Sequence, residues 1–247
     1  MSLNLTIDQG NSAAKLALWQ DSTMVSSSIE TSLTPDALGH FLSPYGGKVD
    51  KALYCSVRAR GTEVMAMLST FAGKMLRLSS DMPLPIKIDY GTPGSLGADR
   101  IAAAVGAATV FPGKMLLVVD AGTAVTYDAV SPEGHFLGGN IAPGMNMRLE
   151  ALHRFTARLP RVTVPRELPL GRVFGTDTAS AMILGSVFGI IGAITYYKSQ
   201  LTPDPTVVMT GGWAHQLSRL CDFEVNVEPD LVSIGLNRIL QYNEAIF

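Results

Sequence analysis

The sequence is poor in charged residues, and neither sign is in excess. Charged residues make up 16% of the 247 residues, and the formal net charge is −2. No basic field attracts DNA, RNA or an anionic bilayer, so we predict neither a nucleic-acid partner nor a membrane partner. A typical soluble domain has roughly 25% charged residues, so the shortage indicates extra buried surface, such as a subunit interface.

Several sequence signatures are also missing. The two cysteines, Cys55 and Cys221, lie far apart and form no CxxC pair, which predicts reduced thiols in a cytoplasmic protein. The N-terminal residues lack the basic and apolar regions of a secretory signal. The chain contains no GxxxxGK(S/T), GxGxxG, HExxH or GxSxG. The common nucleotide-binding, zinc-protease and serine-hydrolase motifs are thus excluded.

One long apolar run is present, ASAMILGSVFGIIGAITYY at residues 179–197, and it contains no charge. Its length approaches that of a membrane span, but glycine, serine and threonine dilute it and no basic cluster follows. We predict a buried helix over about 177–201. Gly185 and Gly189 would let a neighbouring helix approach closely, either from the same chain or from a partner subunit.

Two stretches of the chain repeat one pattern, LTIDQGNSAAK at 5–15 and VVDAGTAVTYD at 118–128. Each is an apolar run that ends in Asp-x-Gly and is followed by a second strand. Helices and strands then alternate, with a fourth strand predicted at 51–57. The predicted helices are at 34–42, where Thr34 can cap the helix and Pro35 takes its first position, and at 62–71, 95–111, 144–156, 213–221 and 233–242. The order β-β-β-α-β-α-β-α occurs twice, which predicts two α/β domains with mixed sheets, at 1–112 and 113–247.

A doubled Asp-x-Gly turn suits a polyphosphate. A glycine turn aims backbone N–H groups at one point, where they can bind an anion. An aspartate beside the turn would repel a phosphate, so its presence is explained if a cation lies between the carboxylate and the phosphate. Two such hairpins facing each other would hold a polyphosphate, with Asp8 and Asp120 binding its metal ions. The alternative is that each is an ordinary hairpin turn, which this chemistry also favours. The glycines of TGG, 210–212, would admit a nucleoside beside the backbone.

The stretch YGTPGSLGADR, residues 90–100, leads into a helix and presents the N–H groups of its first turn. Asp99 could simply complement the helix dipole. With Arg100 beside it, Asp99 could instead accept the proton of an attacking hydroxyl while Arg100 binds a substrate carboxylate. Kinases use an aspartate in this way. We assign no role to Arg148.

In order along the chain, DQGNSAAK, SLGADR, DAGTAVT, GGNIAPG, GTDTASAMILG and TGG resemble the motifs of the type III pantothenate kinases. These enzymes belong to the superfamily of acetate and sugar kinases, heat-shock protein 70 and actin. The resemblance implies two duplicated ribonuclease H-like (actin-like ATPase) domains with mixed five-stranded sheets flanked by helices. It also implies a cytoplasmic homodimer that phosphorylates pantothenate with ATP, opening coenzyme A biosynthesis. Mg²⁺ would accompany ATP, and a monovalent cation, K⁺ or NH₄⁺, would be required.

The resemblance also implies roles for individual residues. Those that would bind ATP are Asp8, Gln9, Gly10, Asn11, Ser12, Ala13, Ala14, Lys15 and, in the second hairpin, Thr123. Asp120 would bind the monovalent cation. The pantothenate site would comprise Tyr90, Gly97, Ala98, Asp99, Arg100 and Thr178, with Asp99 as general base. In a dimer, Thr178 could be supplied by the neighbouring subunit.

Two positions depart from the family pattern. Gln9 replaces an apolar residue, which leaves its packing open, and Ser12 replaces threonine but keeps the hydroxyl. The role of Lys15 also stays open. Two other functions are compatible with the sequence. One is a non-catalytic transcriptional accessory protein of the same fold family, and the other is a kinase for another small hydroxy acid or sugar.

Overall fold

A computed structural model describes residues 2–56, 61–79, 81–165, 167–168 and 171–244, with the backbone alone at 61–62. Its contacts divide the chain into two compact units. The first contains 1–112, 134–136 and 230–247, and the second contains 113–133 and 137–229. The predicted domains divide at the same point after residue 112, but they assign the C-terminal helix to the second domain, whereas its contacts place it in the first unit. The two-domain division stays a prediction.

The first unit is built on a five-stranded sheet with the order β3-β2-β1-β4-β5. Its strands are β1 (Leu3–Gln9), β2 (Ala14–Gln20), β3 (Thr23–Glu30), β4 (Val49–Ser56) and β5 (Ala72–Arg77). Strands β1, β2 and β3 pair antiparallel, whereas β4 and β5 follow β1 in parallel. The sheet is therefore mixed, as predicted. Residue 57, the last of the predicted fourth strand, lies outside the described residues.

A two-residue strand, β6 (Lys87–Ile88), also belongs to the first unit and pairs in parallel with His135 and Phe136. The sequence analysis did not predict this strand. Two residues are too few to show a hydrophobic period, so no sequence pattern could reveal it.

The second unit repeats the topology of the first. Its strands are β7 (Leu116–Ala121), β8 (Ala124–Val130), β9 (His135–Pro143, whose first two residues belong to the first unit), β10 (Thr206–Thr210) and β11 (Val225–Val227). They lie in the order β11-β10-β7-β8-β9. Strand β8 pairs antiparallel with β7. On the other side of β7, β10 pairs with it in parallel, and β11 pairs in parallel with β10. Each of these five strands has a counterpart in the first sheet, so the predicted duplication is confirmed. The predicted strand number holds for the first sheet but not for the second, where the two-residue β6 beside β9 makes six strands.

The helices follow the predicted positions, with ends that differ by a few residues. They are α1 (Pro35–Leu42), α2 (Gly61–Leu68), α3 (Ala98–Val110), α4 (Met145–Arg154), α5 (Thr178–Ser199), α6 (Ala214–Ser218) and α7 (Leu231–Tyr242). The predicted cap of α1 is confirmed, because Thr34 Oγ1 accepts the Ala37 N–H at 3.1 Å. Asp177 and Ser180 form a reciprocal capping box at the start of α5.

Each unit has its own apolar core. In the first unit, buried residues of β1, β2 and β4 pack against α1 and α2. In the second, buried residues of β7, β8 and β10 pack against α4, α5 and α6. Helix α5 is long and apolar enough to cross a membrane by length and composition, and 39% of its most apolar window is buried. Its side chains Met182, Val187, Ile190 and Ile194 lie in the second core, so α5 packs as a core helix.

Candidate active site

The first predicted phosphate hairpin is a tight turn between β1 and β2. The Gly10 N–H donates to the Ala13 carbonyl oxygen at 3.0 Å, so the loop closes over four residues. Asp8 lies opposite Lys15 on β2 and beside Cys55 on β4. Asp8 and Lys15 flank the turn on opposite strands, and as a cross-strand pair they lie on the same face of the sheet.

Two residues whose roles the sequence left open have defined partners here. The Lys15 Nζ atom lies 2.7 Å from Asp230 Oδ1, just before α7 begins, with both side chains partly exposed. Gln9 Oε1 accepts a hydrogen bond from the buried Tyr54 hydroxyl. The polar side chain of Gln9 therefore has a hydrogen-bond partner for its oxygen.

The second hairpin is shorter. It joins β7 to β8 through Gly122 and Thr123, and the Gly122 N–H donates to the Ala124 carbonyl oxygen at 3.1 Å. Asp120 is the second-to-last residue of β7, as Asp8 is of β1. The structure therefore confirms that both aspartates precede equivalent turns.

Three glycine segments close around Asp120. A methyl group on Gly122 would lie 3.3 Å from Asp120 Oδ1, and one on Gly211 would overlap the same oxygen. Gly211 also has a positive φ of 92°, which favours glycine. A methyl group on Gly144 would overlap the carbonyl oxygens of Gly122 and Thr123. A side chain is excluded at Gly144 and Gly211 and would be crowded at Gly122, so the second hairpin, the GGNIAPG segment and the TGG segment are packed together.

This arrangement suits a hard cation. The hairpin carries the Asp120 carboxylate and, facing Gly144, the backbone carbonyls of Gly122 and Thr123, which are oxygen donors of the kind that hard cations prefer. The Thr123 carbonyl already accepts the Gly144 N–H at 3.1 Å. Among the described residues, no group of three or more His, Cys, Asp or Glu side chains is placed to share a metal ion.

The acceptor segment begins α3. Gly97 precedes the helix without a side-chain cap, and Asp99 lies in the first turn. Asp99 Oδ1 accepts the Arg100 N–H at 2.9 Å and would lie 2.5 Å from a methyl group on Gly97. The glycine therefore leaves space for the carboxylate at the helix start, where the dipole favours negative charge.

Arg100 is buried, with 5% of its surface exposed. Its guanidinium carbon lies 5.9 Å from the centre of the Tyr90 ring and 5.6 Å from that of Phe136. The sequence predicted a role for Tyr90 but none for Phe136. The two residues are far apart in the chain, and the pairing of β6 with the start of β9 brings their segments together.

Cys55 connects the first hairpin with the start of α3. Burial raises the pKa of its thiol well above the usual value, and the charges of Asp8 and Asp99 raise it further. Both carboxylates therefore lie within electrostatic reach of one sulfur atom. Because Cys55 pairs beside Asp8 and α3 packs against β4, the predicted phosphate hairpin and the predicted base lie on neighbouring elements of the first unit.

The two cysteines should be unreactive in the folded protein. Burial, then the Asp222 charge, raises the pKa of Cys221 to about 11, and the thiolate is the nucleophile. We expect iodoacetamide at pH 8 to leave both thiols unmodified while the urea-unfolded chain is fully alkylated, as read by intact mass. Rapid labelling of folded Cys55 would contradict its burial.

Because folding raises the pKa values of both thiols above 9.0, the folded state holds more protons there than the unfolded state. The free energy of unfolding therefore falls as pH rises from 9 towards 11.

Thr178 is the exposed first residue of α5 and belongs to the second unit, whereas the other predicted pantothenate residues belong to the first. The glycines further along α5 differ from our expectation. A methyl group on Gly189 would lie 2.9 Å from Arg148 Nη1, and Arg148 Nε donates to the Pro143 carbonyl oxygen at 2.8 Å. The close approach that we predicted for a neighbouring helix is therefore made by α4 of the same chain at Gly189. Gly185 lines a cavity of about 470 Å³ between α4 and α5.

Comparison with known proteins agrees with the motifs. A family model described as type III pantothenate kinase matches residues 4–200. A type III pantothenate kinase of Porphyromonas gingivalis is 41% identical over 246 residues, which cover 98% of this chain and 100% of that protein.

Solved structures share the fold at lower identity. A Campylobacter jejuni structure described as a Baf family transcriptional activator has a TM-score of 0.66 and 24% identity, covering 98% of this chain and 99% of that one. Component A of (R)-2-hydroxyglutaryl-CoA dehydratase from Acidaminococcus fermentans has a TM-score of 0.58 and 15% identity, with full coverage of both chains at 100%. At these identities the likeness shows the fold alone, which is the predicted actin-like ATPase architecture.

Proposed function

Because the chain belongs to the type III pantothenate kinase family, we propose that it transfers the γ-phosphate of ATP to the primary hydroxyl of pantothenate. The product is 4′-phosphopantothenate, and the reaction is the first step of coenzyme A biosynthesis. One structural observation carries the proposal. Cys55 on β4 pairs directly beside Asp8 of the phosphate hairpin, and helix α3, which carries Asp99 in its first turn, packs against β4, so the donor and acceptor segments share one region of the first unit.

Asp99 is the general base of the proposed reaction. Its carboxylate takes the proton of the pantothenate hydroxyl, the hydroxyl oxygen bonds to the γ-phosphorus, and ADP leaves with the electrons of the broken P–O bond. The start of α3 supports this role, because Gly97 leaves room beside the carboxylate. Arg100 binds the pantothenate carboxylate, and Tyr90, Gly97, Ala98 and Thr178 complete the substrate site.

The hairpin from Asp8 to Lys15 binds the phosphates of ATP through its turn, and Thr123 contacts ATP from the second hairpin. The Gly10–Ala13 turn supports the first role, since it leaves the polar residues Asn11 and Ser12 exposed. When bound with ATP, Mg²⁺ neutralises charge on the phosphates. Asp120 binds the monovalent cation, K⁺ or NH₄⁺, and the oxygen donors around it support that role.

We further propose that the enzyme is a cytoplasmic homodimer. The low share of charged residues supports a subunit interface, as do exposed apolar side chains in the second unit. These include Phe155 and Phe174, which are 87% and 85% exposed in the single chain. Thr178 would complete the substrate site of the neighbouring subunit.

An ADP-release assay tests the function. We expect turnover with pantothenate and ATP only when Mg²⁺ and either K⁺ or NH₄⁺ are present, with activity falling at least tenfold in Na⁺ alone. A panel of small hydroxy acids and sugars is the control for the acceptor. Turnover of a sugar but not of pantothenate would reject the acceptor, and full activity in Na⁺ would reject the cation. DNA binding without any phosphotransfer would support the transcriptional alternative.

A further inference from the structure

The Arg100 guanidinium lies against two aromatic rings. Tyr90 lies before α3 and Phe136 lies in β9, and both ring centres are within 6.0 Å of the guanidinium carbon. The two rings also touch each other edge to face, with centres 6.0 Å apart and planes at 72°. Phe136 is fully buried, at 0% exposure.

Contacts with aromatic rings attract a cation without occupying its N–H donors. The negative face of an aromatic ring attracts the guanidinium charge, and the attraction strengthens away from water. A guanidinium has five N–H donors in a fixed plane, and a ring contact uses none of them. The rings can therefore fix the position of Arg100 while its donors serve a planar acceptor such as a carboxylate.

Phe136 is itself held by the backbone. The Lys87 N–H donates to the Gly134 carbonyl oxygen at 2.9 Å, and the Asp89 N–H donates to the Phe136 carbonyl oxygen at 3.0 Å. The His135 ring nitrogen Nδ1 lies 2.7 Å from Asp89 Oδ2 on the same ladder. The segment that leads to Tyr90 is thereby tied directly to the residue that carries the second ring.

We propose that Phe136 is a positioning residue for substrate recognition, acting through Arg100. With Tyr90 it holds the guanidinium where its N–H groups meet the carboxylate of pantothenate. The inference rests on the proposed function, because that function supplies the carboxylate. Phe136 touches no reacting atom, so its effect falls on the binding of pantothenate and not on the chemical step.

The test compares two acceptors that differ only at the carboxylate. Pantothenate carries it, whereas panthenol has a neutral alcohol in its place and keeps the hydroxyl that is phosphorylated. Phe136→Leu and Phe136→Met remove the ring but keep an apolar side chain. We expect either variant to raise the KM for pantothenate about tenfold, within the range of buried cation–π contacts. The kcat and the KM for ATP should stay within twofold. The apparent binding constant of panthenol, as substrate or competitor, should also stay within twofold.

Two further variants separate positioning from general damage. Phe136→Tyr keeps the ring and should restore the KM for pantothenate to within threefold of the wild-type value. Leu42→Val removes a methylene from the core of the same unit, away from the rings, and should leave both acceptors unaffected. Equal weakening of pantothenate and panthenol, or no weakening of either, would overturn the proposal while leaving the kinase function intact. A wild-type enzyme that phosphorylates neither acceptor would overturn both.

Discussion

Asp99→Asn is expected to lower the kcat for pantothenate about a thousandfold, because a positioned general base contributes roughly 10²- to 10⁴-fold to proton transfer. Asparagine cannot take the proton of the hydroxyl, yet its amide oxygen can still accept the Arg100 N–H that Asp99 Oδ1 accepts now. The fold and the nucleotide site should therefore survive. The KM for ATP should change less than twofold in steady-state kinetics.

Asp36→Asn is the matched control for this substitution. Asp36 also lies in the first turn of a helix, α1, and is exposed, so it has the same relation to a helix dipole as Asp99. If Asp99 only complemented the dipole, both variants would lose a few tenths of a kcal/mol of stability and neither would lose activity. A kcat for Asp99→Asn within tenfold of wild type would reject its role as base.

The duplicated hairpins were predictable because the signal is local. Asp8 and Asp120 each end an apolar strand before a glycine, and the turn chemistry of glycine acts over only a few residues. The cap at Thr34 and the helix after Gly97 were found for the same reason. Each of these features is encoded within a single turn of helix or a single hairpin.

What the sequence did not reveal depends on contacts between distant segments. Phe136 reaches Arg100 only through the two-residue pairing of β6, and the Lys15 partner, Asp230, lies at the other end of the chain. Gly185 and Gly189 of α5 predicted the close approach of a neighbouring helix, but no atom of the described residues lies within 4 Å of a methyl group built on Gly185. At Gly189 the approaching group is Arg148, a long polar side chain from α4, rather than the backbone of another helix.

Gly235→Ala is expected to lower the free energy of unfolding by about 3 kcal/mol, the upper part of the usual range for overpacking. Helices α3 and α7 meet backbone to backbone. A methyl group on Gly235 would overlap the Ala102 carbonyl, and one on Gly106 would overlap the Leu231 carbonyl. No rotamer can relieve these clashes, because the obstacles are main-chain atoms, so the helices must separate. For a chain of this size the loss corresponds to a Tm lower by about 6–12 °C in a thermal melt.

Gly192→Ala provides the contrast, since it makes the same change in a helix without the clash. Gly192 is an exposed residue of α5, and no atom of the described residues lies within 4 Å of a methyl group built there. Alanine restricts the unfolded chain more than glycine does, so this variant should gain about 0.5–1 kcal/mol. The same propensity gain acts at Gly235, so any net loss there measures the backbone contact. A Gly235→Ala variant as stable as wild type would show that α3 and α7 lie further apart than the structure has them.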